Sequence, residues 1–249
     1  MRVQRLLSDH DPDPVFAKAG RSDWLLTVEH AGRAVPSVLG DLGLPPGEID
    51  RHIGWDPGAL DLALELAHRL DASLIAQRYS RLVIDCNRPW QAHDLVPETS
   101  DRTAIPANKT GKEDHKMRWD EIHAPFHAAV TDALDRGARR LVAVHTYDPQ
   151  RRVDGATRPW PIGLLARVSN PLIIALERHL SEVIRVAPLG VNQPYEIEDT
   201  SDYTIPIHAE PRDLPHVLIE VRNDFLRDAA AVAAMADTIF EACRTLEPA

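Results

Sequence analysis

Leu25-Leu26-Thr27-Val28-Glu29-His30-Ala31-Gly32 carries the clearest structural signal in the chain. A short apolar run of strand length, beginning near Trp24, ends directly in a carboxylate, an imidazole and a glycine turn. Ligands of open α/β sheets bind outside the carboxyl ends of the strands, so a histidine emerging there is placed for chemistry. Three later segments repeat the design. Leu82-Val83-Ile84 runs into Asp85, Asn87 and Arg88; Leu141-Val142-Ala143-Val144 runs into His145; Val217-Leu218-Ile219 runs into Glu220, Arg222 and Asn223. Four apolar runs that each deliver acidic, basic or imidazole groups predict one shared site.

Between these runs the apolar spacing becomes helical. Asp56-Pro57-Gly58 predicts a helix start, with Asp56 as cap and Pro57 in the first position. Leu60, Ala63, Leu64, Ala67 and Leu70 supply its apolar stripe. Strands are expected at 24–29, 73–77, 81–85, 141–145, 162–166, 185–189 and 217–222. Helices are expected at 113–136, 171–184 and 227–245, with a short one near Pro46. Residues 1–23 read as an irregular lead-in, and 91–112 and 148–161 as polar, proline-bearing loops of functional length. Alternating strand and helix signals predict an α/β layered sheet. No linker or repeat divides the 249 residues, so one domain over 1–249 is expected.

Composition narrows the function. The net charge is −10, which argues against a nucleic-acid partner, since that requires a basic face. A few local arginines could still bind an anionic small molecule. No stretch approaches the ~18 apolar residues of a membrane span, and the N-terminus shows no signal-peptide pattern. Cys86 and Cys243 are the two cysteines and form no CxxC pair, so a reducing, cytoplasmic setting is expected. Cys86 reads as a small buried hydrophobe. Oligomeric state is left open.

His30, Asp56 and His145 could together hold a catalytic metal, which characteristically takes three protein ligands and leaves one position for water. Each also has an ordinary role: a strand-end histidine can simply hydrogen-bond, and Asp56 can cap its helix. Glu220 shares a strand face with Arg222. A carboxylate behind three apolar residues is costly unless paired or functional, so it is either a partner of Arg222 or a general base. Arg88 and Arg222 suit carboxylate recognition through the guanidinium fork, or else pair with Asp85 or Asp224. His52 is a further candidate, and His123 and His127 stand at i, i+4 on one helix face.

Read together, Glu29-His30-Ala31-Gly32, His52-Ile53-Gly54-Trp55-Asp56-Pro57-Gly58-Ala59 and Tyr79 through Pro89 resemble the N-formylglutamate amidohydrolase family. Val144-His145-Thr146-Tyr147, Asn192-Gln193-Pro194-Tyr195, Asp202-Tyr203-Thr204 and Ile219 through Asp224 continue the resemblance in order, over about residues 24–240. It implies a three-layer, zinc-carboxypeptidase-like fold with a mixed central sheet between helices. It also implies hydrolysis of an N-acyl amino acid, such as N-formylglutamate, assisted by one Zn²⁺ or another divalent ion. On that resemblance His30, His145 and Asp56 are the metal ligands, with Glu29 the alternative carboxylate. Glu220 is the water-activating base and Arg88 assists catalysis. Arg88, Arg222, Asn87 and Tyr203 contact substrate. Glu29 and Ala31 stand where members assigned to histidine breakdown often carry proline and serine, so the chain resembles a broader branch. Three other readings remain: an Fe(II) oxygenase triad, a non-catalytic member that binds an acidic metabolite, and a structural protein with capped strand ends.

Overall fold

The computed structural model describes residues 5–151, 154–185 and 187–246. In chain order the main elements are β1 Val15–Lys18, β2 Trp24–Val28, α1 Ala59–Leu70 and β3 Ser73–Gln77. A two-residue hairpin follows, β4 Thr99–Ser100 with β5 Thr103–Ala104. Then come α2 Lys112–Arg118, α3 Ala124–Asp135, β6 Arg140–Tyr147, β7 Ile162–Leu165, α4 Pro171–Val183, β8 Gly190–Val191, β9 His216–Arg222 and α5 Ala229–Cys243. Seven strands form one sheet in the order β1-β3-β2-β6-β9-β7-β8. Strands β3, β2, β6 and β9 run parallel, while β1 and β7 join antiparallel. The sheet is therefore mixed, as expected.

The apolar runs are continuous because both sheet faces are covered, as parallel strands require. Leu26, Val28, Val142, Val144, Val217 and Ile219 face α1, α4 and α5 in one core. Leu25, Leu141, Ala143 and Leu218 face α3 and the segments beside it in the other. Alternation along each strand assigns every second residue to each layer, which completes the three-layer α/β architecture. Asn170 caps α4 by accepting from the N–H groups of Leu172 and Ile173, and Asp228 caps α5. No helix among the described residues is long and apolar enough to cross a membrane.

Several expected elements differ. Leu82-Val83-Ile84 is fully buried yet forms turns rather than a strand. Its carbonyls are satisfied by side chains: Asn108 Nδ2 donates to Leu82 O and Arg118 Nη1 to Val83 O, at 2.7 and 2.8 Å. A buried apolar turn and a buried strand have the same local pattern, and only long-range partners separate them. Part of the lead-in, Val15–Lys18, is an edge strand; residues 1–4 lie outside the described residues. The expected strand at 185–189 is replaced by Gly190–Val191, with residue 186 outside the described set, as are 152 and 153 of the second loop. The stripe of α1 is rotated, with Leu62, Ala63, Leu66 and Ala67 innermost and Leu60, Leu64 and Leu70 at the margin. The helix expected at 113–136 is divided by a π-helical turn over Trp119–His123. Pro125, which follows, has no N–H to give the carbonyl four residues earlier.

The segment leaving β2 leads through α1 to β3 on one side, whereas that leaving β6 leads toward β7 on the other. The chain thus opens a crevice at the carboxyl ends of β2 and β6, where ligands of such sheets bind.

Candidate metal centre and its cleft

His30 follows β2, His145 lies in the last turn of pleat of β6, and Asp56 precedes α1. The backbone draws them together: the Asp56 N–H donates to His30 O at 2.9 Å, and the Thr146 N–H donates to Asp56 Oδ2 at 3.2 Å. Asp56 is thereby occupied as a receptor at the strand ends and does not cap α1, whose cap position is Gly58. His30 Nδ1 lies 3.1 Å from His145 Nδ1, and Asp56 Oδ2 lies 3.3 and 3.1 Å from the two. All three side chains are almost completely buried.

The donor set fits a cation. Tetrahedral zinc with ligand bonds of ~2.0–2.1 Å holds its donors about 3.3 Å apart, close to these separations. A carboxylate lies against each outer imidazole nitrogen, hydrogen-bonded at His30 and in ion-pair contact at His145. Asp85 Oδ1 lies 2.8 Å from His30 Nε2, and Glu29 Oε2 lies 2.9 Å from His145 Nε2. Such carboxylate–histidine pairs fix the tautomer and raise the basicity of a metal-facing nitrogen. They leave two Nδ1 lone pairs and a carboxylate oxygen converging on one point, an arrangement that repels itself unless a proton or a cation sits there.

The carboxylates are strongly perturbed. Burial opposes ionisation of Asp56, yet the charge of His30 and hydrogen bonds from His145 and His30 hold it well below the usual carboxylate range. Asp85 is likewise well below that range, burial being outweighed by His30, Arg81 and Arg88. Glu29 is lowered against burial by His145 and Thr204; the Thr204 hydroxyl donates to its Oε1 at 2.7 Å. Glu29 therefore grips the back of His145 while Asp56 takes the front.

Glu220 sits in β9 directly beside His145 in the parallel register. Burial pushes its carboxyl up to about 8, with His145 pulling it down and Asp56 pushing it up. Its Oε2 is buried and has no hydrogen-bond partner among the described residues. Arg222, on the same strand face, does not pair with it: Nε and Nη2 take Asp224 at 2.7 and 3.2 Å, and Nη1 takes Arg158 O at 2.8 Å. This ion pair forms because the chain turns straight into Asn223–Phe225 and brings Asp224 within reach.

His30, Asp56, His145 and Glu220 line a cavity of about 510 Å³ that also meets Arg81, Asn87 and Arg88. It joins a second cavity of about 410 Å³ through the shared residues His52, Arg81, Arg88 and Tyr195. Arg88 faces both, but its Nε donates to Asp94 Oδ2 at 2.8 Å and its Nη1 to Ser201 O. Asn87 accepts from the N–H groups of Tyr203 and Thr204 and donates to Asp202 Oδ1 at 3.0 Å. Tyr203 lines neither cavity; its ring packs among Trp119, His123 and His127. His123 and His127 are both engaged in hydrogen bonds. The His127 Nε2–H donates to Cys86 O, its Nδ1 meets His208 Nε2 at 2.9 Å, and His123 Nε2 bonds Arg88 O. Both cysteines are buried and free.

Sequence reasoning missed Arg81, which sits between the carboxylates: Nη2 and Nε donate to Asp85 Oδ2 at 2.7 and 3.2 Å, and Nη1 reaches Asp56 Oδ1 at 3.4 Å. It also missed Asp85 and Glu29 as partners of His30 and His145. The signal was present, since each is a carboxylate directly after an apolar run, but the direction of each side chain was not. His52 is brought in as well, its Nε2–H donating to Thr146 O at 2.5 Å beside Asp56.

Among solved structures, a gene product of Agrobacterium tumefaciens superimposes with a TM-score of 0.90 at 30% identity, over 97% of this chain and 99% of its own. An N-formylglutamate amidohydrolase from Ralstonia eutropha matches at 0.66 and 18% identity, over 93% and 96%, a likeness of fold. No curated protein matches the sequence. The model of the N-formylglutamate amidohydrolase family matches residues 22–227, a span that contains every residue of the metal centre and of the cleft around it. This chain belongs to the N-formylglutamate amidohydrolase family.

Proposed function

We propose that this protein is a zinc-dependent amidohydrolase that cleaves the linear amide of an N-acyl amino acid, N-formylglutamate being the simplest example. The observation that carries the reading is the convergence of His30 Nδ1, Asp56 Oδ2 and His145 Nδ1 beside the unpartnered Glu220 Oε2, at the floor of a cleft. His30, Asp56 and His145 would hold a divalent ion, which when bound would supply Lewis acidity to the carbonyl and to a water molecule.

The chain's own residues perform the proton and charge work. Asp85 accepts from His30 Nε2 and Glu29 lies in ion-pair contact with His145 Nε2, so that both Nδ1 atoms would face a bound ion. Glu220, left without a partner, takes the proton of the attacking water and returns it to the leaving amine. Arg81 is fully engaged by Asp85 and Asp56 and keeps that charge cluster rigid. Arg88 and Asn87, on the cavity wall, position the substrate, Arg88 lending positive charge near the developing oxyanion.

The test joins metal analysis to amine release over a panel of N-formyl and N-acetyl amino acids. We expect about one zinc per chain by the three-ligand logic and turnover of at least one panel member. Glu220→Gln should abolish release while leaving metal content at the wild-type level. Loss of metal in that variant would make Glu220 a ligand and overturn its role as base.

A further inference from the structure

Among the described residues four arginines line the joined cavities, and three are already matched with carboxylates. Arg81 is held by Asp85 and Asp56, Arg88 by Asp94, and Arg151 by Asp154. Arg158 is the exception: it is only 9% exposed, lines the second cavity, and meets no carboxylate among the described residues. Burying a guanidinium without a counter-ion is costly, so its surroundings bear on what it does.

Those surroundings hold it rigidly without neutralising it. Its Nη2 donates to the Tyr195 hydroxyl at 2.9 Å and its Nη1 to Asp148 O at 3.3 Å. The Tyr147 and Tyr195 rings lie 5.4 and 5.1 Å from the guanidinium carbon, within the range of cation–π attraction. Its backbone is tied at both ends, the N–H donating to Pro149 O and the carbonyl accepting from Arg222 Nη1. The five N–H donors of a guanidinium cannot all be met by one hydroxyl and one carbonyl. Tyr195, which Arg158 holds, also lines the metal cleft.

We infer that Arg158, braced by Tyr147, Tyr195 and Arg222, is the receptor for a substrate carboxylate, so that the second cavity selects acidic N-acyl amino acids. The geometry disfavours Arg88 and Arg222 for this task, since their guanidinium groups are already matched to Asp94 and Asp224. The inference rests on the amidohydrolase reading for the reaction but not for the binding. The carboxylate has two sources in such a substrate, the α-carboxyl and an acidic side chain, and the ligand chemistry is the same.

The experiment compares wild type with Arg158→Gln on N-formylglutamate, on N-formylglutamine and on the α-amide of N-formylglutamate. Calorimetry of glutarate is run alongside on the same proteins. A lost guanidinium–carboxylate fork should raise KM for N-formylglutamate about tenfold or more, with a smaller effect on kcat. Collapse of the preference over N-formylglutamine assigns the side-chain carboxylate; collapse of the preference over the α-amide assigns the α-carboxylate. An equal loss on all three substrates, or glutarate affinity within about twofold of wild type, overturns the inference. If wild type hydrolyses none of the three, the amidohydrolase reading fails, and the glutarate titration alone then decides on Arg158. Should Arg158→Gln not fold, Tyr195→Phe removes one hydroxyl and is expected to weaken glutarate about threefold or more; unchanged affinity there likewise overturns it.

Discussion

Asp85→Asn is the sharpest probe of how this site is held together. The substitution keeps the shape and removes the charge. Asp85 Oδ1 accepts from His30 Nε2 at 2.8 Å and from the Asn87 N–H at 2.9 Å, while Oδ2 accepts from Arg81 at 2.7 and 3.2 Å. An asparagine cannot serve both sides. With its oxygen kept toward His30, the amide N–H₂ faces the Arg81 guanidinium, donor against donor. Turned over, it faces the Asn87 N–H and His30. Removing one member of a buried ion pair costs about 3–5 kcal/mol, and the residual Arg81–Asp56 contact at 3.4 Å lowers the expected loss in the metal-free protein to about 2–4 kcal/mol. Loss of a carboxylate behind a ligating histidine weakens metal binding by about 10–100-fold, or about 1.4–2.8 kcal/mol. Zinc affinity is read by competition with a chromophoric chelator, and stability by urea unfolding with EDTA present. A variant that loses stability but binds zinc within about twofold of wild type would show that Asp85 is only the counter-ion of Arg81. The histidine-orienting argument would then be wrong.

Three further outcomes follow from the same geometry. Gly32→Ala would place a Cβ 2.0 Å from Arg78 O; the backbone must shift two residues from His30, so thermal unfolding should show a loss of about 2 kcal/mol or more, and an unchanged melting point would refute the close approach. Burial pushes His208 down to about 4, whereas an unfolded histidine titrates near 6.5. Between those values only the unfolded chain binds the proton, so this residue makes stability fall as pH drops from 7.5, levelling off below about 4. His208→Gln should therefore remove about 1.4 kcal/mol of the change between pH 7.5 and 5.5 in urea titrations, and identical changes in the two proteins would contradict it. Arg118, 1% exposed and lowered to about 10 by burial, donates to Val83 O, Asn108 Oδ1 and Ala107 O. Arg118→Met strands these acceptors and should cost about 2–4 kcal/mol in urea unfolding; a loss below about 0.5 kcal/mol would mean that water replaces them.

Strand ends were legible because a buried parallel strand has an unbroken apolar run, and a polar group at its end stands out. That pattern placed β2, β6 and β9 within two residues of their observed limits. It failed at 81–85, where Asn108 and Arg118 satisfy the backbone of a turn from 26 and 35 residues away. Asp56 invited a capping role because Asp before Pro-Gly suits a helix start; the Thr146 N–H, 90 residues on, claims its side chain instead.

The α/β class, the direction in which the chain delivers its polar groups, and the candidates His30, Asp56, His145 and Glu220 can be read from the chain alone. These are local properties: the period of apolar residues, the group that interrupts a run, the turn that follows. Which candidates meet, and which are already spoken for, depends on packing. Packing turned Glu29 to the back of His145, gave Asp85 to His30 and Arg81, tied Arg222 to Asp224, and left Arg158 without a carboxylate among the described residues. The reason is physical. A charged side chain is defined by its nearest opposite charge; some of these partners are local in the chain, but those of Glu29 and His30 lie tens of residues away, set by strand order and register.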